Sequence, residues 1–381
     1  MQVEHLSLYQ FRNYETAELD LAKGINVLTG FNGMGKTNLV EALGYLAHLS
    51  SHRVAKDKIL IRATSAEIFE QTVIRARIKR ANKTALVELE INAHKANRAR
   101  INRGSFTRAK EILGMVATVL FAPEDLSLVK GDPATRRRFI DEMLVAIAPR
   151  FAGVRQDYEK ALKQRNALIK QAKKARAEGM SINQTSFEIW NEQAAKAGAV
   201  LLSARLQMLK RLEPYVESAY AAFTDQRKDV KLKYSTSLED VHADMEIAGL
   251  KEIIMERMRY RFPVEIERGI SIVGPHRDDL DIILGGLPAK GYASHGESWS
   301  VALALKLACY MLLRDTSDTG GEPILILDDV FAELDQVRRE KLANYIKDAE
   351  QVIITAAVVE DIPEVLAGKQ TKIQYGEIIN E

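Results

Sequence analysis

Gly30-Phe31-Asn32-Gly33-Met34-Gly35-Lys36-Thr37 constrains this chain more than any other stretch of it. The run fits G-x-x-x-x-G-K-[ST] and stands in the setting that pattern requires, a strand before and a helix after. Ile25-Asn26-Val27-Leu28, following a turn at Gly24, reads as a short apolar strand. Leu39, Val40, Leu43 and Leu46 predict a helix from about Lys36 to Leu49. Glycines in such a loop let successive backbone N–H groups turn inward around phosphate oxygens, and the dipole of the next helix adds positive potential there. Lys36 is then placed to reach the β- and γ-phosphates, and the Thr37 hydroxyl to bind Mg²⁺. Gly30, Asn32, Gly33, Gly35 and the following Asn38 complete the expected nucleotide cradle.

A phosphate loop of this kind needs a carboxylate at the end of a neighbouring buried strand. Ile324-Leu325-Ile326-Leu327-Asp328-Asp329 supplies it: the four apolar residues read as a parallel strand covered on both faces. Asp328 is the expected Mg²⁺ carboxylate, and Asp329 is next in line to polarise an attacking water. Ser294-His295-Gly296-Glu297 opens the apolar helix Val301–Leu313, and a Ser and a Gly there offer backbone amides to an anion. Taken alone, that last feature is weak.

Strand-like runs fill the first third, among them Val3–Leu8, TVIRARI, ALVELEI and Gly114–Phe121. From about Arg136 to Pro263 helix formers dominate. Phe187, Trp190, Ala194, Ala197, Leu201, Ala204 and Met208 alternate at three and four residues, a seam for a partner helix. Tyr158, Ala161, Leu162, Leu168 and Ile169 suit the opposing face, interrupted at Arg165 and Asn166, and a turn is expected over 179–183. Arms of about 25 residues would reach roughly 40 Å. The expected architecture is α/β: a P-loop ATPase head over 1–135 and 266–381, interrupted by a helical insertion over 136–265 that forms a short antiparallel hairpin.

Composition narrows the function classes. Lys plus Arg number 54 against 52 for Asp plus Glu, so the formal net charge is +2 and any nucleic-acid surface must be local. Two acid-free basic clusters qualify: Lys95, Arg98, Arg100, Arg103, Arg108 and Lys110, and Lys160, Lys163, Arg165, Lys170, Lys173, Lys174 and Arg176. Arg136-Arg137-Arg138 fits pairing with Asp132 and Asp141 as well as it fits a phosphate contact. The single cysteine, Cys309, excludes a disulfide framework and reads as core packing. Seven histidines show no metal-ligand spacing; His276 either senses nucleotide or caps a turn. With no signal-like leader and no run near the ~18 apolar residues of a membrane span, a soluble, cytoplasmic protein without a membrane partner is expected.

Together, the loop, the aspartate pair and the Ser294–Glu297 helix start resemble the ABC ATPase class. FRNY (Phe11–Tyr14), FAPEDLSLVKGDPATRRRFID, YEKALKQRNALIK, GPHRDDL (Gly274–Leu280) and LDDVFAELD make the resemblance specific. They are similar to the RecF family of bacterial recombination-repair proteins, an SMC-like branch of that class. The resemblance implies an ATP- and Mg²⁺-dependent homodimer that binds duplex DNA, favours single-strand/double-strand junctions, and works with RecR and RecO to load RecA. It further implies that Ser294 and Gly296 act on the nucleotide of the other subunit and that Asp335 lies at the dimer seam. His295 and Glu297 depart from the Gln common in relatives, and the strand Ile353–Ala356 lacks the switch histidine of transporters. Asp329 stands where a Glu is usual, and its shorter reach implies slow hydrolysis. The alternatives left open are an SMC-like tethering or end-processing ATPase, a transporter subunit and a scaffold that never hydrolyses.

Overall fold

The computed structural model describes residues 1–64, 67–180, 184–224, 228–316 and 321–379. Positions 181–183 of the expected turn lie outside the described residues. The chain forms two compact units, each built from discontinuous segments: Met1–Ser127, Tyr215–Arg227 and Ser294–Glu381 in the first, Leu128–Pro214 and Lys228–Ala293 in the second. No described helix is long and apolar enough to cross a membrane.

The first unit begins with β1 (Gln2–Phe11), β2 (Tyr14–Asp20), β3 (Gly24–Thr29) and α1 (Lys36–His48), followed by β4 (Gln71–Arg80), β5 (Lys83–Asn92), β6 (Arg98–Ile101), β7 (Thr107–Arg108) and β8 (Thr118–Phe121). One sheet is antiparallel, in the order β2-β1-β4-β5-β6-β7. Its strands alternate buried and exposed residues where one face meets the core and the other meets water. After the second unit come α8 (His295–Asp315), β12 (Ile324–Asp328), α9 (Gln336–Ile346), β13 (Gln351–Ala356), β14 (Lys369–Gln374) and β15 (Glu377–Ile379). These complete a second sheet in the order β15-β14-β3-β13-β12-β8, parallel except for β15. Every residue of β12 and β13 is buried, as the continuous apolar runs require.

α1 differs from the one-faced helix its sequence suggests. Leu39 through Ala47 are all buried, because this helix shares one core with both sheets, including Ile74 and Leu89 of the antiparallel sheet and Ile326 and Ile353 of the parallel one. The helix that follows the phosphate loop is therefore held on every side, which fixes the loop at its head.

In the second unit lie α2 (Ser127–Lys130, its first residue in the other unit), α3 (Pro133–Ile147), α4 (Arg150–Ala177), α5 (Gln184–Phe223, ending in the first unit), β9 (Val230–Ser235), α6 (Ile247–Arg268), β10 (Asp279–Leu284), β11 (Leu287–Pro288) and α7 (Ala289–Tyr292). α4 and α5 run antiparallel: Tyr158 meets Gly198, Arg165 bonds Asn191, and Ala172 shares a cluster with Phe187. The expected hairpin forms, with a third helix added. Ile266 of α6 joins that cluster, and Phe262 packs edge-on against Phe187 at 4.7 Å.

The seam buries only one of its two rows. Phe187, Ala194, Leu201 and Met208 are buried, while Trp190, Ala197 and Ala204 are half-buried. Helical drift and the third helix move the buried stripe onto Asn191, Ala195, Gly198, Leu202 and Arg205. The unit boundaries also fall elsewhere than at 136 and 265. β9 pairs with β10 along its whole length and draws the chain after α6 into the second unit. Conversely, Tyr215 donates to Asp315 at 2.9 Å and Phe223 packs on Tyr345, placing the end of α5 in the first unit.

Candidate nucleotide site and nucleic-acid surfaces

The phosphate loop leaves the carboxyl end of β3, and the aspartate pair leaves the carboxyl end of β12, with β13 hydrogen-bonded between them. This is where an open parallel sheet presents a ligand crevice. Gly30 and Gly35 are required by close approach as well as by positive φ (149° and 115°). A Cβ on Gly30 would lie 2.1 Å from the Ile373 carbonyl oxygen, and one on Gly35 would lie 2.6 Å from the Tyr14 hydroxyl. Lys36 is buried, and its Nζ donates to the Gly30 carbonyl at 2.7 Å and to the Phe31 carbonyl at 3.3 Å, which keeps the ammonium inside the loop. Asn32 and Gly33 are exposed at the rim. Asn38 Nδ2 donates to Asn13 Oδ1 at 2.7 Å, and Asn38 Oδ1 accepts from Arg53 at 3.0 Å.

Two features that the motif did not announce support the loop from outside. Fully buried Glu41 of α1 accepts two hydrogen bonds from Arg12, at 2.8 and 2.6 Å, and a further one from Ser51. Burial opposes the ionised form, yet these donors and the Arg53 charge hold Glu41 below the usual carboxylate range. Arg12, Asn13 and Tyr14 are thereby pinned against Met34 and Gly35. From the other side, the Gly376 N–H in the β14–β15 turn donates to the Met34 carbonyl at 3.1 Å. FRNY was legible as a family stretch; the buttressing by Glu41 was not.

Thr37 Oγ1 donates to Asp328 Oδ1 at 3.2 Å, so the two expected Mg²⁺ residues do meet. Burial, with the neighbouring Asp329 charge adding to it, pushes Asp328 up to about 6 against the hydrogen bonds of Thr355 and Thr37. Both hydroxyls use Oδ1, since Thr355 Oγ1 lies 2.6 Å from the same atom. Oδ2 has no hydrogen-bond partner among the described residues. Asp329 is half-buried and sits at φ 51°, a left-handed conformation that costs a non-glycine residue on the order of 1 kcal/mol.

Ser294 caps α8: its hydroxyl accepts from the Glu297 N–H at 3.3 Å, and Glu297 Oε2 accepts from the Ser294 N–H at 2.8 Å. That reciprocal box gives Glu297 a local reason to be an acid. His295 is likewise engaged, accepting from Trp299 Nε1 at 3.1 Å. Ser294 remains exposed at the helix start. Asp335 is exposed too, caps α9 through the Arg338 N–H at 2.9 Å, and forms an ion pair with the Arg338 side chain. The Arg338 guanidinium also lies 3.1 Å from where a Cβ on Gly296 would stand. Within this unit, the Arg338 side chain therefore lies beside both Gly296 and Asp335.

The basic clusters do not survive intact. Arg98 makes a bidentate pair with Glu90, and Arg100 pairs with Glu88 at 2.6 Å. Those acids come from β5, directly across the β5–β6 ladder, so acid-free in sequence is not acid-free in space. Lys95, Arg103, Arg108 and Lys110 stay exposed. In the other cluster Arg165 is fully buried, donating to Asn191 at 2.6 Å, to Ser271 at 2.7 Å and to both oxygens of buried Glu265. It is removed from the nucleic-acid candidates, whereas Lys160, Lys163, Lys170, Lys173 and Lys174 are exposed. Of the two readings of the arginine triplet, pairing within the protein is the one seen, with other partners than Asp132 and Asp141: Arg136 with Asp279, Arg138 with Glu142, and Arg137 with the Asp278 carbonyl, while Asp141 is taken by Arg205. His276 is buried and bonded to the Tyr158 hydroxyl at 2.7 Å and to the Ser271 carbonyl at 3.2 Å; burial pushes it down to about 4. It is a neutral packing histidine. Cys309 is buried in α8, as expected.

Comparison with known proteins accords with this geometry. Residues 2–372 match the family model described as RecF/RecN/SMC N terminal domain. The chain is 49% identical to the DNA replication and repair protein RecF of Pseudarthrobacter chlorophenolicus, with 99% of each chain covered. It is 50% identical to that of Streptomyces avermitilis, again over 99% of each. The solved structure of the recombination mediator protein RecF-ATP in the RecFOR pathway superposes with a TM-score of 0.87 at 26% identity, covering 99% of this chain and 96% of the other. An Smc head domain from Pyrococcus furiosus, at 16% identity and a TM-score of 0.53, shares the fold alone. The chain belongs to the RecF family and carries an ABC-type ATPase head of the RecF/RecN/SMC kind.

Proposed function

We propose that this chain is an ATP-dependent DNA-binding repair protein that pairs head to head with a second copy on duplex DNA. It would act at single-strand/double-strand junctions, with RecR and RecO, to help load RecA at gaps. The observation that carries the reading is the meeting of Thr37 with Asp328 beside the phosphate loop, in a chain similar end to end to RecF proteins.

The residues fit Mg·ATP. Thr37 and Asp328 offer hard oxygen donors on one side only, and no cluster of His, Cys, Asp and Glu able to hold a metal alone is present among the described residues. That suits an ion whose remaining ligands are phosphate oxygens and water. Mg·ATP supplies the γ-phosphoryl group and neutralises its charge when bound. Lys36 turns from the loop carbonyls to the phosphates, the loop amides hold the phosphate oxygens, and Asp328 and Thr37 hold the ion. Asp329 polarises the attacking water, slowly because its side chain is short. Exposed Ser294 and half-buried Gly296 face the nucleotide of the second copy, and Asp335 lies at the seam.

Sedimentation in Mg·ATP tests the assembly. Asp329→Asn should accumulate as a long-lived dimer. Ser294→Arg should bind ATP and stay monomeric, and normal dimerisation of that variant would remove the assignment across the seam.

A further inference from the structure

Thr355 lies at the centre of the crevice, on the strand that separates the phosphate loop from the aspartate pair, directly opposite Asp328 in the β12–β13 register. It is fully buried. Its hydroxyl has one proton and two lone pairs to use. The proton goes to Asp328 Oδ1 at 2.6 Å, and a lone pair accepts the Asp329 backbone N–H at 2.9 Å. Asp329 Oδ1 stands 3.5 Å away, at the edge of hydrogen-bond range. One hydroxyl thus bridges a carboxylate and the backbone of the next residue, at the point where that backbone enters the left-handed region. A left-handed aspartate persists only where its surroundings hold it, and the Thr355 hydroxyl is the side-chain group bonded to its N–H.

We infer that Thr355 is a positioning residue for ATP hydrolysis: it holds Asp329 in its left-handed turn and so aims the carboxylate that polarises water. The inference rests on the role proposed above for Asp329. It goes beyond that role by placing control of hydrolysis in a residue that acts through Asp329. Asp328 keeps its Thr37 bond without Thr355, so the metal contact is expected to outlast the loss of the hydroxyl, whereas Asp329 loses its tether.

The test compares Thr355→Val, Thr355→Ser, Asp329→Asn and the double variant Thr355→Val/Asp329→Asn. Single-turnover hydrolysis is measured alongside binding of a fluorescent ATP analogue with and without Mg²⁺, after thermal melts show each variant folded. Valine keeps the shape and removes the hydroxyl. Thr355→Val should hydrolyse about tenfold or more slowly, the scale of a lost positioning contact, with nucleotide affinity changed less than about threefold in either metal condition. Thr355→Ser should recover most of the rate, and the double variant should be no slower than Asp329→Asn alone, as residues acting through one another are non-additive. A Thr355→Ser as slow as the valine variant would show that packing, not the hydroxyl, matters. A large loss confined to Mg²⁺-dependent affinity would show that Thr355 acts through Asp328, and fully additive losses would separate it from Asp329; either result overturns the inference. Wild-type hydrolysis by Asp329→Asn would remove the role of Asp329 and this inference with it, while a slow Asp329→Asn beside a normal Thr355→Val would remove the inference alone.

Discussion

Buried charge occurs among the helices of the second unit and in the nucleotide crevice of the first, and the two places treat it in opposite ways. In the second unit Arg165 spends its donors on Glu265, Asn191 and Ser271, and Glu265 also accepts from the Ile272 N–H at 2.8 Å. Arg205 is spent likewise on Asp141, Tyr234 and the Pro275 carbonyl. In the first unit, Lys36 rests on carbonyls of its own loop, and Asp328 is buried beside a second aspartate with both of its side-chain hydrogen bonds among the described residues on one oxygen. Saturated pairs leave nothing for a ligand to take. Charged groups without an opposite charge bonded to them, opened toward a crevice, keep capacity in reserve. Burial alone marks neither structure nor function; unspent hydrogen-bonding capacity separates them.

Substitution at each place breaks that contrast in a different direction. Lys36→Ala should lower ATP affinity on the order of 100-fold or more, because a charge-assisted contact to phosphate is lost, while denaturant unfolding of the ligand-free protein changes little; equilibrium binding and a urea titration read the two. Arg165→Met should do the reverse. Leaving Glu265 buried without its partner costs about 3–5 kcal/mol of stability, seen as a lowered urea midpoint, and the ATP affinity of the remaining folded protein stays near wild type.

A third test sharpens the contrast by pH. His276 has a folded value of about 4 against an ordinary 6.5, so the unfolded chain binds its proton first. Its contribution is fully present above about pH 6.5 and is lost as pH falls toward 4, by up to about 3 kcal/mol. Unfolding of His276→Gln measured across that window should therefore show a shallower acid loss than wild type, with the two profiles parallel above pH 7.

The ATPase crevice was legible because its chemistry is local in sequence: eight consecutive residues make the loop, and four apolar residues before two aspartates make the strand. What escaped depends on partners that only the fold brings together. Arg165 looked like an interruption in an apolar stripe amid lysines, yet it continues the stripe, since Glu265, a hundred residues on, neutralises it. Arg98 and Arg100 looked unopposed because their acids lie on the adjacent strand. β9 alternates at Val230, Leu232 and Tyr234, but between long helices that short run was absorbed into the helical segment. Thr355 is one ordinary letter in a strand, and only the β12–β13 register reveals what its hydroxyl holds.

The most direct test of ATP-gated DNA binding is fluorescence anisotropy of a gapped duplex titrated with the full chain in Mg·ATP, in ADP and without nucleotide. Strong binding in Mg·ATP alone, abolished by Lys36→Ala, is the predicted result. Equal binding in all three conditions would contradict the claim that ATP is the gate, and no binding in any of them would contradict the DNA-binding function itself.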